Sequence, residues 1–322
     1  MASPIQVTKS ATLTGHRDCV YTLEKSAQPN IFYSAGGDGL VVAWDLDAPE
    51  NGDLLAQVPT SVYALHHLAA ENLLLVGQNQ HGIQVIDVAA KQVKKSVALP
   101  GMAFFDIVAS TPHQQVYVAG GDGTLFILDD RDFRLKQALR YSTKSLRSLA
   151  LNAATNELAL GFSDHTIRIV DAATGQLRHE IAAHNNSVFT VAYSPDGRYL
   201  LSGSRDAHLK VWEVAVGYQE ATSIVAHLFT INHLTFSPEG RFFATCSMDK
   251  SVKIWDAATF RLLKVIDRAR HAGHGTSVNK LFWSARLNSL VSCSDDRTIS
   301  VWDLNFSLRY EDNTIRNQAK DL

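Results

Sequence analysis

The chain has only three cysteines in 322 residues, Cys19, Cys246 and Cys293, an odd number with no C-x-x-C spacing. That pattern excludes a disulfide framework and a zinc ribbon, and it leaves small buried hydrophobes in a reducing compartment. Excess charge is missing too: 30 basic residues face 32 acidic ones, for a formal charge of −2. Such a chain has no global attraction for a phosphate backbone, so nucleic acid is not the expected partner. No apolar stretch approaches the ~18 residues of a membrane span. Met1 to Ser10 carries no basic run leading into an apolar core, as a secretory signal would. Cytoplasm is therefore the expected compartment, with the nucleus also open. No low-complexity linker divides the chain, and hydrophobic content of 46% provides a sizeable core.

What the chain does have is a ruler. Asp38, Gln80, Asp122, Asp164 and Asp206 are spaced 42 residues apart, and Asp249 and Asp296 follow after steps of 43 and 47. Six residues after each comes a paired signature: Trp44-Asp45, Ile86-Asp87, Leu128-Asp129, Val170-Asp171, Trp212-Glu213, Trp255-Asp256 and Trp302-Asp303. A period in the low forties closing on Trp-Asp marks a β-propeller, in which each repeat supplies about four short strands to one blade. Short polar turns such as Gly36-Gly-Asp-Gly39 and Ser294-Asp-Asp-Arg297 break alternating β patterns and read as tight hairpins. The expected fold is all-β, a single seven-bladed propeller over residues 1–304 with a polar tail over 305–322. The last repeat stops after its third strand, while Ile5 to Leu13 is an extra strand-like segment upstream of the first complete unit. Pairing the two would close the ring and remove two exposed sheet edges.

A constellation recurs on the ruler. Counting back 22 residues from the turn position finds a histidine, and counting back four finds a hydroxyl, in four repeats. The sets are His16, Ser34, Asp38, Trp44; His184, Ser202, Asp206, Trp212; His227, Thr245, Asp249, Trp255; and His274, Ser292, Asp296, Trp302. Ser-His-Asp invites a hydrolase reading, since a carboxylate-held base can activate a hydroxyl. Four copies, each with an indole N–H that can donate to the hydroxyl, point instead to a satisfied structural relay. At these residues the chain resembles the WD-repeat β-propeller family. The resemblance implies that each set forms a hydrogen-bonded tetrad joining the inter-blade loop to the inner hairpin.

Repeats two to four depart from it. Val58, Pro100 and Ser142 stand at the His position, Val76, Val118 and Leu160 at the hydroxyl, and Ile86, Leu128 and Val170 at the Trp. Apolar packing is expected to hold these blades, making them the softer half of the ring. Seven recurring acidic residues after the Trp position lie one per blade, too far apart for a hard cation. His66-His67 and His271-Ala-Gly-His274 lack a third ligand, so no metal and no cofactor are expected.

The resemblance also implies a peptide-docking face around the channel, with the residue five after the tetrad His position pointing to its mouth. Carried along the period, that position gives Tyr21, Tyr63, Phe105, Arg147, Phe189, Asn232 and Asn279. Aromatic and arginine side chains are the types that dominate interface hot spots. Residues just before the turn position, among them Gly37, Gly121, Arg205 and Met248, are expected around the same mouth. The glycines would leave room above Tyr21 and Phe105, and Arg147 and Arg205 would offer charge to an acidic or phosphorylated peptide. The alternative is that the aromatics merely plug the channel. The expectation is a non-enzymatic scaffold, a monomeric propeller within a larger complex that receives a peptide or loop. Its rivals are a nucleic-acid-binding propeller and an enzyme with a unique carboxylate cluster in the channel, which the sequence does not display.

Overall fold

A computed structural model describes residues 5–306. It contains seven four-stranded antiparallel sheets. Blades one to six take four consecutive strands each, with innermost strands Val20–Lys25, Val62–Leu68, Phe104–Ser110, Leu146–Asn152, Val188–Tyr193 and Ile231–Phe236. In the seventh the innermost strand is Val278–Trp283, and Ile5–Leu13 forms the outer edge against Ile299–Phe306. Asn305 and Phe306 thus lie in a strand, and the rest of the C-terminal segment, 307–322, lies outside the described residues, as do residues 1–4. The innermost strand of blade one contacts those of both blade two and blade seven, which closes the ring. Among the described residues no helix is long and apolar enough to cross a membrane.

Side-chain pattern follows position in the blade. The second strands, such as Leu73–Gln78 and Phe242–Ser247, are buried on both faces and read as near-continuous apolar runs. The outer strands, such as Gln92–Val97 and Leu135–Arg140, are exposed over nearly their whole length and carry lysine and arginine, which blunt an open edge. Core clusters sit between neighbouring blades. Leu13, Val20, Phe32 and Trp44 pack with Val291, Cys293 and Ile299 across the closure. Each such buried side chain contributes about 1.5–3 kcal/mol relative to exposure.

The four tetrads have one geometry. In each, the Trp Nε1–H donates to the hydroxyl at 2.8–2.9 Å, the hydroxyl meets His Nε2 at 2.8–2.9 Å, and His Nδ1 faces the carboxylate at 2.9–3.1 Å. A neutral imidazole protonated on Nδ1 satisfies every group in this relay. Burial holds His16, His184 and His227 below the usual histidine range despite the adjacent carboxylates. Burial alone would raise Asp206, Asp249 and Asp296, but their histidine and backbone N–H donors hold all three well below the carboxylate norm.

Blade four corrects the expectation of purely apolar blades. Ser142 Oγ donates to Asp164 at 2.7 Å, and Thr166 and Arg168 complete the shell of that carboxylate at 2.6 and 3.0 Å. A Ser-Asp-Arg network therefore replaces the tetrad there. Blade two has no such substitute. Its Gln78 is fully buried, and neither amide atom of its side chain meets a partner.

Candidate partner-binding site at the channel mouth

Every innermost strand skips one residue in its register with the second strand, and the skipped residues are Tyr21, Tyr63, Phe105, Arg147, Phe189, Asn232 and Asn279. A β-bulge leaves its extra residue unpaired and re-aims the side chain. The residues immediately before the bulges, such as Val20, Phe104, Val188 and Val278, are completely buried, so the half-exposed bulge residues stand on rigid footings. All seven line one cavity of about 310 Å³.

They do not form a uniform ring. Tyr21 and Tyr63 have ring centroids 5.2 Å apart, and Tyr63 and Phe105 are 5.7 Å apart. The Arg147 guanidinium then lies 4.4 Å from the Phe105 centroid and 4.9 Å from that of Phe189. One stacked arc thus runs over blades one to five. Arg147 Nε donates to Ser163 Oγ at 3.0 Å, and no carboxylate pairs with this guanidinium among the described residues. Burial, and then the charge of Arg205, lowers its pKa. The two asparagines behave otherwise. Asn232 donates to Ser277 Oγ and the Val278 carbonyl, and Asn279 to the Val20 carbonyl and Asp295, so both amides tie one blade to the next.

The pre-turn residues are more scattered than the ruler implies. Gly121 does leave space beside Phe105, whose ring lies 3.5 Å from where a Cβ would be. At Gly37 the neighbour is Asp18, 2.8 Å from the Cβ position, so that glycine makes room for a carboxylate and not for a pocket over Tyr21. Arg205 and Met248 are exposed but do not line the cavity. The Asp267 to Gly275 segment forms a single helical turn, Arg268–His271, with Arg270 spent on Asp267 at 2.6 Å.

The cavity floor holds what the sequence concealed. Asp106, Ser148, His233 and Lys280 line it, each one residue beyond a bulge. Lys280 lies 3.9 Å from Asp106, and below them His66 is 3.8 Å from Glu24. The channel therefore gathers titratable groups that the sequence did not display together, as two opposite-type pairs. The acceptors in it are directed at neighbouring amides. Asp106 accepts Leu149 N–H at 2.9 Å, Ser148 Oγ accepts Val191 N–H at 3.2 Å, Thr190 Oγ1 accepts Leu234 N–H at 3.3 Å, and His233 Nδ1 accepts Leu281 N–H at 3.3 Å. Each accepts an amide of the following blade, forming a belt around the channel. Burial pushes Glu24 up to about 7 and His66 down to about 4. Among the described residues no group of three His, Cys, Asp or Glu is placed to hold a metal ion. The signal for the belt was the same ruler read one residue later, where unlike residue types hide one shared role.

Comparison with known proteins agrees with the tetrads. The family model "WD domain, G-beta repeat" matches residues 7–45, 175–213, 218–256 and 267–303, which end on the four Trp-bearing signatures. The chain belongs to the WD-repeat β-propeller family. Among its relatives is human striatin, 25% identical over 228 residues, covering 63% of this chain and 29% of striatin. Periodic tryptophan protein 2 of Arabidopsis thaliana is 23% identical over 205 residues, covering 63% of this chain and 23% of that protein. The WD-repeat chain thus aligns with less than a third of the length of these relatives. The WD40 β-propeller domain of Doa1 superposes with a TM-score of 0.81 at 18% identity, covering 92% of this chain and 96% of that one. That likeness establishes the fold.

Proposed function

We propose that this WD-repeat propeller is a non-enzymatic scaffold that receives a peptide or loop of a protein partner at its channel mouth. The observation that carries the reading is the set of seven register skips that direct seven side chains into one cavity, five of them stacked as Tyr21, Tyr63, Phe105, Arg147 and Phe189. Such an arc offers a large apolar and cationic contact with few torsions left to freeze. The titratable groups beneath it support a structural role. A carboxylate engaged by a backbone amide, a neighbouring hydroxyl and a lysine is not poised to move a proton for a substrate. A nucleic acid would meet Asp18 and Asp295 on the loop and turn of blades one and seven, and a chain with no positive excess.

Affinity purification tests this with wild-type bait beside Phe189→Ala and Arg147→Ala, each checked for an unchanged melting temperature. Partners recovered by wild type are expected to be lost from both variants. Retention of every partner by two folded variants removes the mouth from the account.

A further inference from the structure

The mouth is polarised, and the polarity continues into an apolar surface that the cavity does not include. On blades four and five, Arg147 and Arg205 lie close enough for the charge of Arg205 to lower the pKa of Arg147, and among the described residues neither has a carboxylate partner. Arg205 N–H donates to the Ser187 carbonyl at 2.9 Å, which fixes this hairpin against the loop leading to Phe189. The same hairpin continues to Ala207, whose carbonyl accepts the amides of Ala226 and His227 at 3.0 and 3.3 Å. The next two residues are Leu228, 82% exposed, and Phe229, 58% exposed. Met248, 56% exposed, adjoins them, because its amide donates to the Thr230 carbonyl and Ser247 Oγ donates to the Phe229 carbonyl. Tetrad anchoring holds this loop, since Leu228 N–H donates to Asp249 at 3.1 Å. A rigid loop that presents leucine, phenylalanine and methionine to water next to the hairpin of Arg205, which has no carboxylate partner among the described residues, is unusual for a solvated rim.

We propose that this surface binds an unmodified protein segment in which Asp or Glu side chains stand within a few residues of large apolar ones. Its carboxylates are received by Arg147 and Arg205, and its apolar side chains by Leu228, Phe229 and Met248. The inference rests on the mouth reading above and assigns the chemistry of the occupant. Ser163 holds the Nε edge of Arg147, and Phe105 and Phe189 hold its faces, so the free part of the guanidinium is its terminal pair of nitrogens. That fork matches a planar carboxylate, and partial burial strengthens the charge-assisted pair. An anionic membrane also favours arginine beside apolar residues, but Arg147 is recessed between rings, and Asp18 and Asp295 across the mouth repel a negatively charged plane.

The test is to pan a display library of random peptides on the full chain and measure the selected peptides by fluorescence polarisation. Wild type is compared with the double variants Arg147→Gln/Arg205→Gln and Leu228→Ser/Met248→Ser, with Phe189→Ala, and with the outer-strand control Leu262→Ser. The expected result is a consensus of acidic next to apolar residues, with affinity falling about tenfold or more in either double variant and unchanged in Leu262→Ser. A consensus without acidic residues, unchanged affinity in the double variants, or no enrichment overturns the inference. So does cosedimentation of wild type with phosphatidylserine-containing vesicles that Arg147→Gln/Arg205→Gln abolishes. If non-acidic peptides are selected and Phe189→Ala still abolishes their binding, the mouth reading stands and only the occupant is wrong. If Phe189→Ala has no effect either, both fail.

Discussion

Blades one, five, six and seven each lock their inter-blade loop to their inner hairpin through a buried tetrad, whereas blades two, three and four do not. The difference coincides in part with a division of labour at the mouth, since Tyr21 and Phe189 join the stacked arc from tetrad blades one and five. Tyr63, Phe105 and Arg147 come from the blades without tetrads and stack on one another or their neighbours. Asn232 and Asn279 come from tetrad blades and are consumed by ties between blades. Blades six and seven thus spend both the tetrad and the bulge residue on rigidity, while blades two to four leave the bulge side chain available. A further exception is instructive, because the exposed Leu228 and Phe229 are carried by a tetrad-anchored loop that can display apolar groups without collapsing onto them.

The comparison breaks most readily at a tetrad histidine. His227→Ala leaves the Asp249 carboxylate and the Thr245 hydroxyl without their partner in a buried place, at a cost of about 3 kcal/mol. Ser142→Ala removes the blade-four counterpart to Asp164, which Thr166 and Arg168 still satisfy, and an exposed bond from Lys144 N–H that water can replace, at a cost of about 1 kcal/mol. Denaturant midpoints of the two variants distinguish them, and equal shifts would erase the difference between the arcs.

A smaller effect of opposite sign is expected at Gln78. Its buried amide finds no partner, so Gln78→Met should raise stability by about 1 kcal/mol, visible as a higher melting temperature. A loss would show that an unseen partner satisfies the amide.

Acidification sharpens the contrast further. His16, His184 and His227 have folded pKa values below the unfolded value of about 6.5. Their contribution is complete above that pH and is lost as pH falls below it. Glu24 has the opposite sign: its carboxyl is pushed up to about 7, so stability from this group declines as pH rises from about 4.5 to 7. Moving from pH 7 to pH 5 should therefore loosen blades five and six relative to blades three and four, as read by amide exchange corrected for its intrinsic pH dependence, while blade one is offset by Glu24 and blade two shares the loss through His66. Uniform loosening would assign the effect to global charge.

Much of this was legible in the sequence, for a physical reason. A repeat fold imposes one geometry on every unit, so Tyr21, Arg147 and Asn279 can be aligned by counting although they share no chemistry. The four tetrads were equally plain, because a relay of Trp, hydroxyl, His and Asp demands fixed residue types. What escaped were roles that several residue types can fill. Asp106, Ser148, Thr190 and His233 all accept an amide from the next blade, yet nothing in their identity announces it. The Ser142-Asp164-Arg168 network was hidden likewise, since Arg168 reaches Asp164 from the third strand and not from the tetrad position. Asn232 and Asn279 stand at the mouth as their position implies, but position alone does not reveal that an amide is already engaged.

The most direct measurement is amide hydrogen exchange by mass spectrometry on the chain, with and without a partner recovered by affinity purification. The account predicts that partner binding slows exchange at the starts of the innermost strands in blades two to five, around Tyr63, Phe105, Arg147 and Phe189. Slowing confined to outer strands such as Gln92–Val97 or Leu135–Arg140, with the mouth unchanged, would contradict it.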